Sequence, residues 1–381
     1  MQPRLTLLLA LVAVLTTTKT TNAAPAPAPG SATGTQLTSI VAFGDSLTDV
    51  GNVLRLTNGA WPLSPPNAYG RFSNGKMWPE YLAEAMATAA NGNDIDLQVY
   101  AFGSATSDST LVPGYTGASS NVSSPGVNKQ IGMYESRLKA AMASGATPNA
   151  TLFTVFAGGN DLFFDDPSFT RATPPAVASN LVRAVTQIEA IADKAKLPYY
   201  RIAVINLPPL GRWPLFARAP AAGAMYTQLA AMINGELAVR LATHNAEQYG
   251  VWPGQEVKGT RAVLTVDAAT AVAGVLDNPA AYGFVSPSSP SSAAGKVTSL
   301  DACVQTDPDT NAVSVCADPA SRVFWDSFHP TTRSHRLVAS WVAAAIGIAF
   351  PAQLPAVTAV PAVEGTSTAV TSVSSAAVGS I

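Results

Sequence analysis

The stretch LTSIVAFGDSLTDVGN, Leu37–Asn52, decides how the rest of this 381-residue chain is interpreted. It opens with an apolar run, Leu37–Phe43, that predicts a buried β-strand. The strand leads directly into Gly44, Asp45 and Ser46. These residue types are ordinary in turns and helix caps. The stretch alone is therefore consistent both with a simple turn and with a nucleophilic Ser46.

Further apolar runs rich in β-branched and aromatic residues recur along the chain. They are Leu97–Phe102, Leu152–Phe156, Ile202–Ile205 and Ala262–Val266. Continuous apolar character predicts strands that are buried on both faces, as in a parallel sheet.

Longer segments with helical patterns lie between and after these runs. They are Met77–Ala90, Gln130–Ala143, Ala176–Lys196, Ala224–Tyr249 and Thr331–Ile348. This alternation predicts an α/β fold, an open and mainly parallel sheet with helices on both faces. Ligands in such folds bind beyond the carboxyl ends of the strands, so functional residues are expected there.

The composition argues against nucleic acid as a partner. Charged residues make up 12% of the chain, the formal net charge is −2, and no run of lysine and arginine is present. A nucleic-acid-binding protein needs a clustered basic face. We therefore expect no nucleic-acid partner, and the composition does not predict an oligomeric state.

The first 24 residues are typical of a secretory signal peptide. Arg4 precedes the apolar run Leu5–Leu15, and the small residues at Asn22–Ala24 form a cleavage site. A bilayer span needs about 20 apolar residues, so this run is too short to be one. A buried N-terminal helix is the alternative. Residues 25–36, which begin PAPAPG, predict an extended spacer.

Residues 37–350 are predicted to form one large domain with a sizeable core, and residues 351–381 a flexible tail. The tail is rich in Ser, Thr, Ala and Val and has one charged residue, Glu364. An exported chain meets an oxidising environment, so we expect its two cysteines, Cys303 and Cys316, to form a disulfide. Asn121 and Asn149 begin glycosylation sequons. We expect a secreted, extracellular protein, with cell-wall association as one form of that location.

Functional residue types follow the predicted strands. Ser46 follows the first, Gly103 the second and Asn160 the third, while Asp326 and His329 occur as D-x-x-H before the last helix. A serine hydroxyl becomes nucleophilic when an imidazole accepts its proton and a carboxylate orients that imidazole. The spacing predicts Ser46, His329 and Asp326 as a catalytic triad.

The same set supplies hydrogen-bond donors for an oxyanion. Acyl transfer needs preorganised donors at the developing negative charge. The backbone N–H groups of Ser46 and Gly103 and the side-chain amide of Asn160 are the predicted donors. Glycine at position 103 would let the backbone approach a substrate closely.

These blocks, FGDSLTDVGN, YAFGSATS, FAGGND and FWDSFHPTT, resemble those of the GDSL, or SGNH, hydrolases, a family of serine esterases and lipases. The resemblance runs from about Val41 to Ala344, and Ala68–Leu82 is similar to the secreted branch of the family. It implies a three-layer, flavodoxin-like α/β/α fold and hydrolysis of carboxylic esters without a metal or other cofactor. One departure is Ser104 after Gly103, which leaves the expected donor role of Gly103 unchanged.

Other interpretations remain open at this stage. Asp326 is also suited to cap a helix that Pro330 opens. The chain as a whole is also consistent with a non-enzymatic cell-surface or wall-associated glycoprotein that retains the fold. A metal-dependent phosphoesterase using Asp45 and Asp49 would need a histidine cluster, and the chain has three scattered histidines. We instead expect Asp45 and Asp49 to shape the serine loop. The resemblance implies a small-molecule, lipid or acylated-carbohydrate ester as the substrate. Among these, we favour short-chain or acetyl esters.

Overall fold

The computed structural model describes residues 36–165, 168, 170–255, 261–285, 300–306 and 312–351. The predicted signal peptide lies outside the described residues, as do nearly all of the spacer and of the tail. Among the described residues, no helix combines the length and apolar character needed to cross a bilayer.

Five parallel strands form the central sheet in the order β2-β1-β5-β6-β7. Their bounds are β1 Ser39–Gly44, β2 Asp96–Val99, β5 Thr151–Phe156, β6 Tyr200–Ile205 and β7 Leu264–Val266. Every residue of β1 and β5 is buried, as their uninterrupted apolar sequences predict. Two antiparallel hairpins lie outside the sheet: β3 Gly114–Thr116 with β4 Val122–Ser124, and β8 Val304–Thr306 with β9 Val313–Val315.

Helices cover both faces of the sheet. The long ones are α2 Trp78–Ala89, α3 Val127–Ala143, α5 Pro174–Lys194, α6 Pro220–Tyr249, α7 Ala268–Asp277 and α8 Thr332–Ala345. Helices α3, α5 and α6 pack side by side, and α8 packs against both α2 and α7. The predicted α/β fold with a parallel central sheet is confirmed.

Short helical segments were not predicted, because each is too brief to carry a periodic apolar pattern. They are α1 Asn52–Leu56, α4 Gly159–Phe164 and the 3₁₀ turns Leu210–Arg212, Pro214–Phe216, Pro279–Tyr282 and Pro319–Ser321. Both α1 and α4 begin just beyond a strand of the sheet. Asn160 therefore lies in the first turn of a helix.

The second strand ends three residues earlier than predicted. The N–H groups of Tyr100 and Phe102 still donate to carbonyls of Ala42 and Gly44, at 2.8 and 3.2 Å. On this edge of the sheet, the Asn52 side chain donates to the carbonyls of Val99 and Ala101, at 2.9 and 2.7 Å.

The buried Gln130 side chain fixes the end of β1. Its Oε1 accepts from Gly44 N–H at 2.9 Å, and its Nε2 donates to the carbonyls of Gly44 and Pro125 at 2.8 and 2.9 Å. A Cβ on Gly44 would lie 2.4 Å from the Phe156 carbonyl oxygen. Helix α3 thus positions the residue from which the Asp45–Ser46 turn departs.

We predict that Gln130→Leu lowers the free energy of unfolding by about 2–4 kcal/mol, because buried backbone groups lose their partners. Urea unfolding followed by circular dichroism measures the change. Gln187→Leu, at an exposed site on α5, is the matched control and should change stability by less than about 0.5 kcal/mol. Equal effects of the two substitutions would contradict the role given to Gln130.

Candidate active site

Ser46, His329 and Asp326 form one continuous hydrogen-bonded chain. His329 Nε2 lies 2.9 Å from Ser46 Oγ, and His329 Nδ1 lies 2.9 and 2.8 Å from the two carboxylate oxygens of Asp326. An ionised Asp326 carboxylate can only accept a hydrogen bond, so His329 Nδ1 carries the proton and donates it. Nε2 is left as an acceptor for the Ser46 hydroxyl. The structure therefore brings together the three residues predicted as a triad.

The loop that carries Asp326 and His329 is folded tightly upon itself. Asp326 Oδ1 accepts from the N–H groups of Phe328 and His329, both at 2.8 Å, and Trp325 N–H donates to the His329 carbonyl at 2.7 Å. Thr331, not Asp326, is the N-cap of α8. The helix-capping alternative for Asp326 is thus wrong.

Residues of the long loop before α2 hold the loop of Asp326 and His329 from outside. Asn67 Oδ1 accepts from the Trp325 indole at 2.7 Å, Ser73 Oγ donates to the Pro330 carbonyl at 2.9 Å, and Asn74 Oδ1 accepts from Thr332 N–H at 2.8 Å. No local pattern in the sequence identifies these contacts, because each joins residues more than 250 positions apart.

Phe72 is a further neighbour that sequence analysis did not single out for this position. Its ring is buried, and its centroid lies 5.2 Å from that of His329. A Cβ on Gly103 would lie 2.5 Å from the same ring. Glycine is therefore required at position 103 by packing against Phe72.

The electrostatics of Asp326 favour its charged form. Burial acts to raise its pKa, but the charge of His329 and the hydrogen bonds from His329 and Phe328 outweigh burial and hold the pKa below its usual value. An ionised carboxylate in this position can stabilise a positive charge on an imidazole ring.

Two of the predicted oxyanion donors are available. Within the described part of the chain, no acceptor lies in hydrogen-bond reach of Ser46 N–H. Asn160 Nδ2 donates to the Ala105 carbonyl at 3.1 Å, which fixes the amide and leaves its second N–H unused.

The backbone N–H of Gly103, the third predicted donor, already has an acceptor. Its N–H donates to Asp49 Oδ2 at 2.9 Å and is not available to a substrate in this geometry. Asp49 needs this bond because it is wholly buried. The sequence could not indicate the conflict, since it does not show which acceptor a backbone N–H will meet.

The model of the family described as GDSL-like lipase/acylhydrolase matches residues 40–342. The chain belongs to this family. Its predicted enzyme class, a carboxylic ester hydrolase, is confirmed with it.

This GDSL-like hydrolase resembles proteins from bacteria and plants. It is 26% identical over 310 residues to a thermolabile hemolysin of Vibrio parahaemolyticus, covering 80% of this chain and 62% of the hemolysin. It thus spans less than two thirds of that relative. It is 24% identical over 332 residues to the GDSL esterase/lipase At2g04570 of Arabidopsis thaliana, covering 80% of this chain and 90% of the plant protein.

The solved structures that this chain resembles are more distant in sequence. A catalytic mutant of Axe2, an acetylxylan esterase from Geobacillus stearothermophilus, is 13% identical with a TM-score of 0.39, covering 83% of this chain and 97% of Axe2. The lipase Lip_vut3 from a goat rumen metagenome is 14% identical with a TM-score of 0.40, covering 81% and 96%. Likenesses at this level do not bear on the substrate of this hydrolase.

The two acids nearest Ser46 shape its loop, as predicted. Asp45 Oδ1 accepts from Leu47 N–H at 3.0 Å, and Asp49 accepts from the N–H groups of Gly51, Asn52 and Val53 at 2.8, 2.6 and 3.1 Å.

Among the described residues, no group of three or more His, Cys, Asp or Glu side chains is arranged to hold a metal ion.

Asp45, in the serine loop, and Asp161, in the first turn of α4, are two buried carboxyls that interact electrostatically. Burial raises the pKa of each carboxyl to about 7, against the opposing hydrogen bonds from Leu47 to Asp45 and from Ser107 to Asp161. The charge of His329 also acts to lower the pKa of Asp45, and the charge of Asp45 acts to raise that of Asp161. Ser107 contacts Asp161 through both N–H and Oγ, at 2.8 and 2.5 Å.

We predict that this pair makes the hydrolase less stable as the pH rises from 4 to 7. The folded carboxyls keep protons that the unfolded chain releases near pH 3.8, so the free energy of unfolding falls across this window. Asp161→Asn should flatten that fall, as measured by urea unfolding at several pH values. Asp94→Asn, at an exposed site, should leave the slope as in the parent. An unchanged slope in Asp161→Asn would refute the assignment.

Proposed function

We propose that this chain is a secreted serine esterase that hydrolyses carboxylic esters through an acyl-enzyme on Ser46. The observation that carries the proposal is the uninterrupted chain from Ser46 Oγ through the His329 ring to the Asp326 carboxylate. A turn or capping role for these residues does not require that geometry.

In the first half-reaction, Ser46 Oγ attacks the ester carbonyl carbon while His329 Nε2 takes the hydroxyl proton. The tetrahedral intermediate collapses, the bond to the alcohol oxygen breaks, and His329 gives its proton to the leaving alkoxide. The acyl group remains bonded to Ser46. Asp326 holds the His329 ring and stabilises its positive charge throughout.

In the second half-reaction, water replaces the alcohol. His329 takes a proton from water as the water oxygen attacks the acyl carbon, and it returns that proton to Ser46 Oγ when the acyl–serine bond breaks. The carboxylic acid is released. Ser46 N–H and the Asn160 amide donate to the oxyanion in both halves.

Export is the second part of the proposal. Its support is the predicted signal segment, residues 1–24, together with the disulfide between Cys303 and Cys316. Disulfides persist in oxidising compartments. The sequon asparagines Asn121 and Asn149 are both exposed, as acceptors of glycans must be. Recovery from the medium of a chain that lacks residues 1–24 would support export, and retention of the whole chain inside cells would contradict it.

The acyl specificity remains a prediction of short-chain or acetyl esters. Rates on p-nitrophenyl esters of increasing chain length, measured beside acetylated xylan and phospholipid, decide it. A maximum at acetate supports the prediction, and a maximum at long chains overturns it.

We predict that Ser46→Ala and His329→Ala each abolish turnover of p-nitrophenyl acetate without loss of the fold. Asp326→Asn should lower kcat by about 10³–10⁴, because the imidazole loses its orienting charge. Retained turnover in Ser46→Ala would refute the proposal.

Covalent labelling separates this esterase from a non-enzymatic glycoprotein that keeps the fold. A fluorophosphonate probe should label the parent at Ser46 and fail to label Ser46→Ala. Ser327→Ala, on the same loop as His329, is a suitable control because no role is assigned to its side chain. An unlabelled parent chain would favour the glycoprotein.

A further inference from the structure

The oxyanion site lacks the backbone donor predicted at position 103. Gly103 N–H donates to Asp49 Oδ2 at 2.9 Å, and Asp49 is completely buried. Turning Gly103 N–H toward a substrate would remove one partner from a buried carboxylate, which is costly. The donor that completes the site must come from elsewhere in this loop.

The next backbone N–H along the chain, that of Ser104, has no acceptor within the described part of the structure. Ser104 has a φ of 66°, in the left-handed region that side-chain-bearing residues rarely adopt. Among the residues that the structure describes, none accepts a hydrogen bond from Ser104 N–H. An unused backbone N–H beside a catalytic serine is typical of an oxyanion donor.

The direction of this N–H follows from its own peptide unit. The Gly103 carbonyl accepts from the buried Ser124 hydroxyl at 2.7 Å. In a trans peptide the N–H points opposite to the C=O of the same unit. Ser104 N–H therefore points away from Ser124.

Contacts on both sides place this loop at the catalytic cleft. Phe72 would meet a Cβ on Gly103 at 2.5 Å and lies 5.2 Å from the His329 ring. The Asn160 amide donates to the carbonyl of Ala105 at 3.1 Å. Ser104 thus lies between Gly103, which packs on the neighbour of His329, and Ala105, which accepts from Asn160.

The unusual backbone of Ser104 is held by its surroundings. A Cβ on Gly114 would lie 1.9 Å from the Ser104 carbonyl oxygen, so only glycine at position 114 admits that carbonyl. Strained backbone conformations persist where neighbours over-determine them, and they cluster at active sites.

We infer that Ser104 N–H, rather than Gly103 N–H, is the third donor of the oxyanion hole, beside Ser46 N–H and the Asn160 amide. Ser104 contributes through its backbone, and its hydroxyl is not required. This inference rests on the proposed acyl-enzyme chemistry at Ser46.

The direct test replaces single amides by esters. Incorporating the α-hydroxy acid counterpart of serine at position 104 exchanges that N–H for oxygen and keeps the side chain. We expect kcat for p-nitrophenyl acetate to fall by about 10²–10³, with little change in KM or melting temperature. Glycolic acid at position 103 is the matched control, which removes the N–H bonded to Asp49. It should lower the melting temperature and reduce kcat in the folded protein less than the ester at position 104 does.

Side-chain variants keep the test falsifiable if an ester variant fails to fold. Ser104→Gly and Ser104→Ala both retain the N–H, so each should lower kcat far less than the ester at position 104 does. Loss of activity in both at unchanged melting temperature would show that the hydroxyl is needed and would overturn the inference. So would a fall in kcat for the ester at 103 but not at 104.

Ser46→Ala, assayed in parallel, separates the two levels of the proposal. Activity in Ser46→Ala means that the acyl-enzyme proposal has failed. An inactive Ser46→Ala beside a fully active ester at position 104 means that only the assignment of Ser104 has failed.

Discussion

The carboxylate of Asp49 is the constraint on which the site depends. It is completely buried and accepts hydrogen bonds from four backbone N–H groups, those of Gly51, Asn52, Val53 and Gly103. Burial raises its pKa against those bonds. Because a buried carboxylate is tolerated only with such partners, Asp49 fixes the loop after β1 and the loop after β2 relative to each other. Ser46 belongs to the first of these loops and Ser104 to the second.

A second set of contacts brings the base to this framework. His329 and Asp326 are about 280 residues from Ser46 in sequence, and their loop is held by Asn67, Ser73 and Asn74 from the long segment before α2. The three regions meet at the carboxyl edge of the sheet, where open parallel sheets form their sites. The acids next to Ser46 accept hydrogen bonds from backbone N–H groups, and the imidazole that contacts Ser46 comes from the far end of the domain.

Much of this arrangement is predictable from the sequence. Uninterrupted apolar runs predict the five parallel strands because both faces of such strands are buried. Residues just beyond the strand ends identify Ser46 and Asn160, and D-x-x-H identifies Asp326 and His329. What the sequence does not determine is the partner of each backbone N–H. The sequence therefore predicts Gly103 as a donor, although packing against Phe72 and the bond to Asp49 explain this residue.

The central claim is that hydrolysis passes through an acyl group on Ser46, and the most direct measurement is to trap that species. Rapid acid quench of the protein turning over p-nitrophenyl acetate, followed by peptide mass spectrometry, reports where the acetyl group resides. The account predicts an acetyl mass increment on the peptide that contains Ser46, accumulating within the first turnover. Rapid turnover with no adduct, or with an adduct on another residue, would contradict it.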